Sequence, residues 1–173
     1  MVQNQDLTLL IKKRKSMNEI KQNKWYQVII PDEAALPGTS ILELLKCIMK
    51  VEHFEFVILD EIVGAGKNWL MRILKNHQQN VMRVKDLMFT LPDVQQFEWG
   101  DFFLFKEYPE LWDEPEKTKY PYLINQTDTT IRAIDNGYMY IYTPHESIVE
   151  IIKKKYEIEE IKTDFLENLD YPY

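Results

Sequence analysis

Residues 129–143, TTIRAIDNGYMYIYT, carry the strongest structural signal in this sequence. Two runs rich in β-branched and aromatic residues flank an Asn-Gly pair at 136–137, which favours a type I′ turn because both of its central residues need a positive φ. The stretch therefore predicts a β-hairpin in which Arg132 lies opposite Ile141. Both faces of this hairpin are largely apolar, so we expect it to lie inside a sheet.

A helix is predicted directly after the hairpin. Thr143 is placed to be its N-cap, Pro144 its first helical residue and Glu146 the acidic member of its first turn. Apolar residues then recur at helical spacing from Ile148 onward, which predicts a helix that docks on the core.

Strand and helix patterns also alternate upstream of the hairpin. Strands are predicted at residues 25–30, 54–59, 84–91, 101–106 and 122–125, helices at 40–49 and 68–77, and a glycine turn at 64–66. Ser40 and Glu43 have the spacing of a capping box at the start of the first helix. The sequence thus predicts an α+β fold, a single domain over residues 25–173 with a mostly antiparallel sheet of about five or six strands packed by two to three helices.

Charge is distributed unevenly along the chain. The formal net charge is −7, but residues 1–25 hold six basic and two acidic groups, whereas residues 85–173 hold nine basic and nineteen acidic groups. We therefore interpret residues 1–24, with KKRK at 12–15, as a basic N-terminal extension. The acidic main body would repel phosphate backbones, so we expect no direct nucleic-acid binding, and it would attract a basic protein partner.

Hydropathy and cysteine content favour a cytoplasmic protein. No run approaches the roughly 20 apolar residues that span a bilayer, and the polar, basic N-terminus does not resemble a secretory signal. The single cysteine, Cys47, lies in an apolar stretch and is interpreted as a small core residue. We expect neither membrane association nor an internal disulfide.

Catalytic motifs are weak throughout the chain. GAGKN at 64–68 lacks the spacing and the Ser or Thr of a phosphate-binding loop, which leaves either an anion contact at Lys67 or, more favoured, an ordinary glycine turn. The three histidines lack metal-ligand spacing, and no G-x-S-x-G elbow is present. Adjacent carboxylates such as Asp60-Glu61 are interpreted as solvated charges. The sequence therefore predicts a protein that is not an enzyme and holds no cofactor or metal.

Residues 97–122, FEWGDFFLFKEYPELWDEPEKTKYPY, form an acidic and aromatic stretch. Its first half, up to Phe105, has the pattern of a core strand. Its second half contains Pro109 and Pro115, which favour an exposed, stiffened connection. The predicted partner-binding residues are Glu107, Tyr108, Glu110, Trp112, Asp113, Glu114 and Glu116. Trp112 and Tyr108 are either exposed anchors of an interface or are folded back onto the core, with the carboxylates as a solvated rim.

Three short stretches occur in order within this small acidic chain: WYQVIIP at 25–31, FEWGDFFLF at 97–105 and TPHESI at 143–148. In this layout, over residues 25–160, the chain resembles the immunity proteins that accompany bacterial polymorphic toxins, including contact-dependent inhibition systems. The resemblance implies stoichiometric inhibition, in which an acidic surface covers the basic active site of a cognate toxin, often a nuclease.

Two other functions remain open from the sequence. A small cytoplasmic enzyme of an unrecognised family would show a pocket lined by convergent polar groups with perturbed pKa values. A protein-interaction adaptor would self-associate through apolar surface. Residues 157–170 form a second acidic stretch, which we expect to extend the same face as residues 107–116. The sequence makes no prediction of the oligomeric state.

Overall fold

The computed structural model describes residues 23–32, 36–112, 119–134 and 137–172. Within them one sheet contains the strands β1 (Trp25–Pro31), β2 (Phe56–Gly66), β3 (Val81–Arg83), β4 (Val94–Phe105), β5 (Thr129–Ile134), β6 (Tyr138–Thr143) and β7 (Lys162–Asp164). The accompanying α-helices are α1 (Gly38–Ile48), α2 (Asn68–Asn76), α3 (Val84–Thr90), α4 (Tyr120–Asn125) and α5 (Glu146–Tyr156).

The strand order is β3-β2-β4-β5-β6-β1-β7, and neighbouring strands pair antiparallel. The predicted α+β class is confirmed, with more strands and helices than expected. The excess comes from short elements, since β3 and β7 have three residues each and α4 has six. Elements this short contain too few residues to display a hydrophobic period.

Both faces of the sheet are covered. On the first face, α1, α2, α3 and α5 pack on apolar strand side chains such as Val28, Leu59 and Ile131. On the second face, α4 and the 3-10 turn Leu166–Asn168 pack in a cluster with Phe103. All residues of β5 are buried, which confirms the expectation that the hairpin lies inside the sheet.

The predicted hairpin is confirmed as β5 and β6, but its connection is longer than predicted. Ile134 pairs with Tyr138, so residues 135–137 connect the strands and the predicted two-residue turn is wrong. Asp135 and Asn136 themselves lie outside the described residues. Loop length helps to set hairpin register, so each residue of β5 pairs with the β6 residue one position before the predicted one.

The shift decides which face Arg132 occupies. Arg132 lies opposite Tyr140, not opposite Ile141 as predicted. Because side chains alternate across a strand, the change moves Arg132 from the apolar side that holds Ile141 to the side that holds Tyr140. On this second face, Asp101 of β4 lies directly opposite Arg132.

Neither predicted helix start has the expected cap. α1 begins at Gly38, ahead of Ser40, and has no side-chain cap. A Cβ on Gly38 would lie 2.1 Å from a backbone carbonyl oxygen, so close packing accompanies this start. α5 begins at Glu146, and Thr143 accepts a hydrogen bond from the N–H of His145 (3.2 Å) without entering the helix.

Two predicted strands are helices. Residues 84–91 contain α3, in which Val84 and Leu87 are buried at the i, i+3 spacing of a helix face. Residues 122–125 belong to α4, where Pro121 lies in the first turn, a position that proline favours. A short apolar run fits either period, which is why the pattern alone misassigned both segments.

The predicted glycine turn at 64–66 is also wrong. β2 continues through Gly66 with register shifts against β4, and Glu61, within one of these irregularities, has a φ of 49°. Gly64 lies so close to β4 that a Cβ would stand 2.2 Å from the Gln96 carbonyl oxygen. Glycine is needed here for the close approach of two strands, not for a chain reversal.

A buried ion pair lies at the centre of the second face. The Arg132 guanidinium donates to both carboxylate oxygens of Asp101, from Nε (2.7 Å) and Nη2 (2.8 Å), and the two side chains are 2% and 1% exposed. The Tyr120 hydroxyl donates to the same carboxylate (2.7 Å), and its ring centroid lies 3.7 Å from Arg132 Cζ. Asp101 therefore belongs to the core and not to the acidic surface of residues 97–122.

The second face also holds the C-terminal part of the described chain. Gln27 and Tyr142 both donate to the Asp170 carbonyl oxygen, at 2.7 and 2.6 Å. Arg132 Nη1 donates to the Pro172 carbonyl oxygen (3.0 Å). Side chains from β1, β5 and β6 thus fix the backbone of residues 170–172.

Arg132→Met is expected to lower the free energy of unfolding by about 3–5 kcal/mol, because it leaves the Asp101 carboxylate buried without its partner. Arg83→Met is a matched control, since the ion pair of Arg83 with Glu55 is about half exposed and such pairs contribute at most about 1 kcal/mol. Urea unfolding followed by circular dichroism measures both losses. Equal losses would contradict a central role for the buried pair.

Candidate functional site

The predicted partner-binding segment begins where β4 ends. The Lys106 N–H donates to the Asp128 carboxylate (2.7 Å), and the Lys106 ammonium group donates to Glu52 (2.6 Å). This second hydrogen bond holds the pKa of Glu52 below its usual value. The residue that leads into the segment is therefore held by both its main chain and its side chain.

Tyr108 is exposed, and its ring contacts the sheet edge-on. The residue is 59% exposed, and the ring packs against Phe56 on β2 with centroids 5.3 Å apart. Arg83 on β3 lies over the same Phe56 ring, 4.7 Å from its centroid. Tyr108 thus presents most of its surface to solvent near the β3 edge of the sheet.

Trp112 folds back onto the second face. Its ring packs against Phe103 and Phe105, with centroid distances of 4.9 and 5.7 Å. Its indole N–H donates to Gln79 Oε1 (2.9 Å), and the Gln79 backbone N–H is bonded in turn to β2. The two aromatic residues therefore differ. Trp112 is folded back onto the core, whereas Tyr108 is exposed.

The structure brings three of the predicted partner-binding residues together at the surface. Glu107 and Glu110 are exposed on either side of Tyr108. We call these three residues the acidic edge, and Trp112 anchors the chain that follows them. Asp113, Glu114 and Glu116 lie outside the described residues.

The second acidic stretch, residues 157–170, lies at the other end of the sheet. It contains β7, which pairs with β1, whereas Tyr108 packs on β2. Four strands separate β2 from β7 in the sheet order. Residues 166–170 of this stretch lie on the second face, as Tyr108 does, but at the opposite edge of the sheet, so the two acidic stretches do not form one continuous surface.

Asp60 is a carboxylate whose environment the sequence did not reveal. It lies opposite Asp101 in the β2–β4 pairing and is hydrogen-bonded to the Gln79 side chain, which also binds Trp112. Burial raises the pKa of Asp60, and the neighbouring Asp101 charge raises it further. Asp60 is partly buried, so its interpretation as a solvated charge is wrong. Only the cross-strand pairing shows this.

The titration of the buried pair follows from its surroundings. Burial raises the pKa of the Asp101 carboxyl, and the hydrogen bonds from Arg132 oppose that rise. Burial and the Asp101 charge raise the pKa of Tyr120 well above its usual value, so its hydroxyl remains a hydrogen-bond donor. These groups face one another in the core, so loss of either ion-pair partner would leave the other charged group buried without compensation.

Ser147, His145 and Glu52 meet near the start of α5. Ser147 Oγ donates to Glu52 (3.1 Å), and His145 Nδ1 lies 3.8 Å from the same carboxylate. The carboxylate lies between the hydroxyl and the imidazole, so this arrangement is not a catalytic triad, in which the imidazole takes the serine proton. Burial and the Lys106 charge lower the pKa of His145. The cluster ties α5 to the loop after α1.

Other candidate sites from the sequence have structural partners. The Lys67 ammonium group pairs with Asp93 (2.7 Å), and Cys47 is buried, as predicted.

Among the described residues, no group of three or more His, Cys, Asp or Glu side chains is placed to hold a metal ion. In the same residues, no helix has both the length and the hydropathy needed to cross a bilayer.

Comparisons of this chain with family models, with curated proteins and with solved structures found no match. The function is therefore inferred from the sequence pattern and from the geometry of the described residues.

Trp112→Ala is expected to lower the free energy of unfolding by about 2 kcal/mol, because it removes the packing on Phe103 and Phe105. Hydrogen exchange in residues 107–112 should become faster. Phe89→Ala is the matched control, since Phe89 is 86% exposed, and its effect should stay within about 0.5 kcal/mol. Urea unfolding and hydrogen-exchange mass spectrometry test both statements. Unchanged exchange would show that Trp112 does not hold the acidic edge.

Proposed function

We propose that this protein is an immunity protein that binds a cognate bacterial toxin in the cytoplasm and neutralises it by covering its active site. The acidic edge is the observation that carries the proposal. Glu107, Tyr108 and Glu110 are exposed between two fixed points, the Lys106 contacts and the Trp112 anchor. This arrangement suits recognition of a protein surface.

Residues 107–112 are already held in place, so binding would cost them less conformational entropy. A loop that orders only on binding loses conformational freedom at that moment, which weakens the complex. Here the main chain of Lys106 and the ring of Trp112 already contact the sheet and its connections. Tyr108 is thereby offered as an aromatic anchor of the kind that dominates interface energetics.

The charge of the acidic edge indicates a basic partner. Carboxylates around an aromatic anchor speed the encounter with a positively charged cleft and disfavour partners of like charge. An enzyme that cleaves nucleic acid needs such a cleft, because it must bind the phosphate backbone. We therefore propose a nuclease-type toxin as the partner, blocked by occlusion of its cleft without any chemistry on the inhibitor.

Glu107→Lys/Glu110→Lys is expected to slow association with the toxin by at least about tenfold at low salt. The probe is the product of the gene adjacent to the one that encodes this chain, and stopped-flow fluorescence measures the association rate. The same variant should protect cells less well when it is co-expressed with that toxin. The unmodified chain should bind with nanomolar affinity and restore growth.

Glu159→Lys/Glu160→Lys is the control for net charge. It makes the same change of charge beside β7, at the far end of the sheet. Equal slowing by both variants would mean that overall charge, and not the acidic edge, guides association. An unmodified chain that neither binds the probe nor restores growth would overturn the proposed function.

A further inference from the structure

Helix α2 presents a basic and aromatic face in a chain whose net charge is negative. Residues 67–85 contain five Lys or Arg residues and no Asp or Glu, whereas the whole chain has a net charge of −7. Leu70 and Leu74 anchor the inner side of α2 in the core. Two of the five basic residues, Arg72 and Lys75, lie on α2 itself, so its outer side carries positive charge, unlike the acidic edge.

The outer side of α2 contains residue types that favour protein contacts. Trp69 is 51% exposed and Ile73 is 39% exposed, one turn apart, with Arg72 and Lys75 exposed near them. In the part of the chain that the structure describes, neither Arg72 nor Lys75 has an ion-pair partner. We call these four residues the basic face. Tryptophan and arginine are enriched at interface hot spots.

The basic face and the acidic edge lie on opposite sides of the sheet near one edge. α2 packs on the first face through Leu70 and Leu74. Tyr108 and Trp112 pack on the second face, and the Trp112 indole binds Gln79, shortly after the end of α2. β3 is the outermost strand at this end of the sheet. Two surfaces of opposite charge therefore flank the β3 edge.

We infer that a second copy of this chain docks at the β3 edge, with the basic face of each copy on the acidic edge of the other. A two-fold axis parallel to the strands exchanges the two sides of the sheet, so the side that holds α2 in each copy adjoins the side that holds Glu107 and Glu110 in the other. A two-fold axis perpendicular to the sheet would set α2 beside α2. Like charges would then oppose each other, which disfavours that arrangement.

The favoured symmetry also determines the kind of contact. Rotation about an axis parallel to the strands brings the two β3 strands together in the same direction with their faces reversed. Side chains, not an extended antiparallel sheet, then make the interface. The charge complementarity between Arg72 or Lys75 and the carboxylates of the other copy selects the pairing.

The opposite edge of the sheet does not offer the same complementarity. Near β7, Glu157, Glu159 and Glu160 are exposed, and Lys162 is already paired with Asp170 (3.2 Å). Two copies that met there would set carboxylates against carboxylates, which costs free energy. The charge pattern therefore selects the β3 edge over the β7 edge.

This inference does not depend on the proposed function. The dimer would nevertheless affect the proposed toxin binding, because it covers Glu107, Tyr108 and Glu110. A basic partner that uses the acidic edge must displace the second copy. Self-association and partner binding are then mutually exclusive, and the dimer is the form in which the acidic edge is held until a tighter partner competes for it.

Sedimentation velocity of the full chain over a concentration series tests the inference. We expect a reversible monomer–dimer equilibrium that weakens as salt is added. Arg72→Glu/Lys75→Glu and Glu107→Lys/Glu110→Lys should each weaken the dimer at least about tenfold. An equimolar mixture of the two variants should regain the dimer, because the reversed α2 then meets the reversed edge while the unchanged surfaces meet each other.

Lys46→Glu/Lys154→Glu is the matched control, since it reverses two exposed lysines on α1 and α5, away from β3. It should leave the dimer within about twofold of the unmodified chain. Recovery in the mixture is the readout that a folding defect would not produce. A chain that stays monomeric, a mixture that fails to recover, or a control that weakens the dimer equally would each overturn the inference.

Discussion

The buried pair of Arg132 and Asp101 is the constraint on which the second face of the sheet depends. A charge without a partner is costly inside a protein, so β4 and β5 must meet in the register that brings these two side chains together. Tyr120 shares the carboxylate and so places α4, while Arg132 also holds the Pro172 carbonyl oxygen. A slip of one residue would turn the guanidinium toward the apolar first face. Such a slip would leave both charges buried without partners, so the pair favours the native register.

Much of the architecture could be predicted because it follows from the local spacing of apolar residues along the chain. The α+β class, the hairpin and the core role of the aromatic residues before Phe105 all follow from alternation and turn chemistry. What could not be predicted depends on distant contacts. The start of α1 at Gly38 accompanies its close approach to another part of the chain, and the hairpin register goes with a loop one residue longer than the Asn-Gly pair suggests. The apolar pattern of residues 84–91 fits both a strand and a helix. The structure has a helix there, with Val84 and Leu87 buried.

In the candidate site, too, some features follow from the local sequence and others depend on distant contacts. Exposure of Glu107, Tyr108 and Glu110 agrees with their sequence pattern, because carboxylates and proline favour a solvent-facing connection. The position of Trp112 did not follow from its neighbours, since its indole partner Gln79 stands 33 residues earlier. The relation of the acidic edge to the basic face of α2 is equally non-local. Only the sheet order shows that both flank β3.

The placement of β1 has a consequence for how the chain reaches its native state. β1 is the earliest of the described strands, yet it lies between β6 and β7 and pairs with residues 138–143 and 162–164. During synthesis, Trp25, Val28 and Ile30 leave the ribosome long before either neighbouring strand exists. Loop closure over such separations is slow, and apolar strands without partners are prone to aggregate. The native pairing of β1 therefore cannot be completed before residues 138–164 have been made.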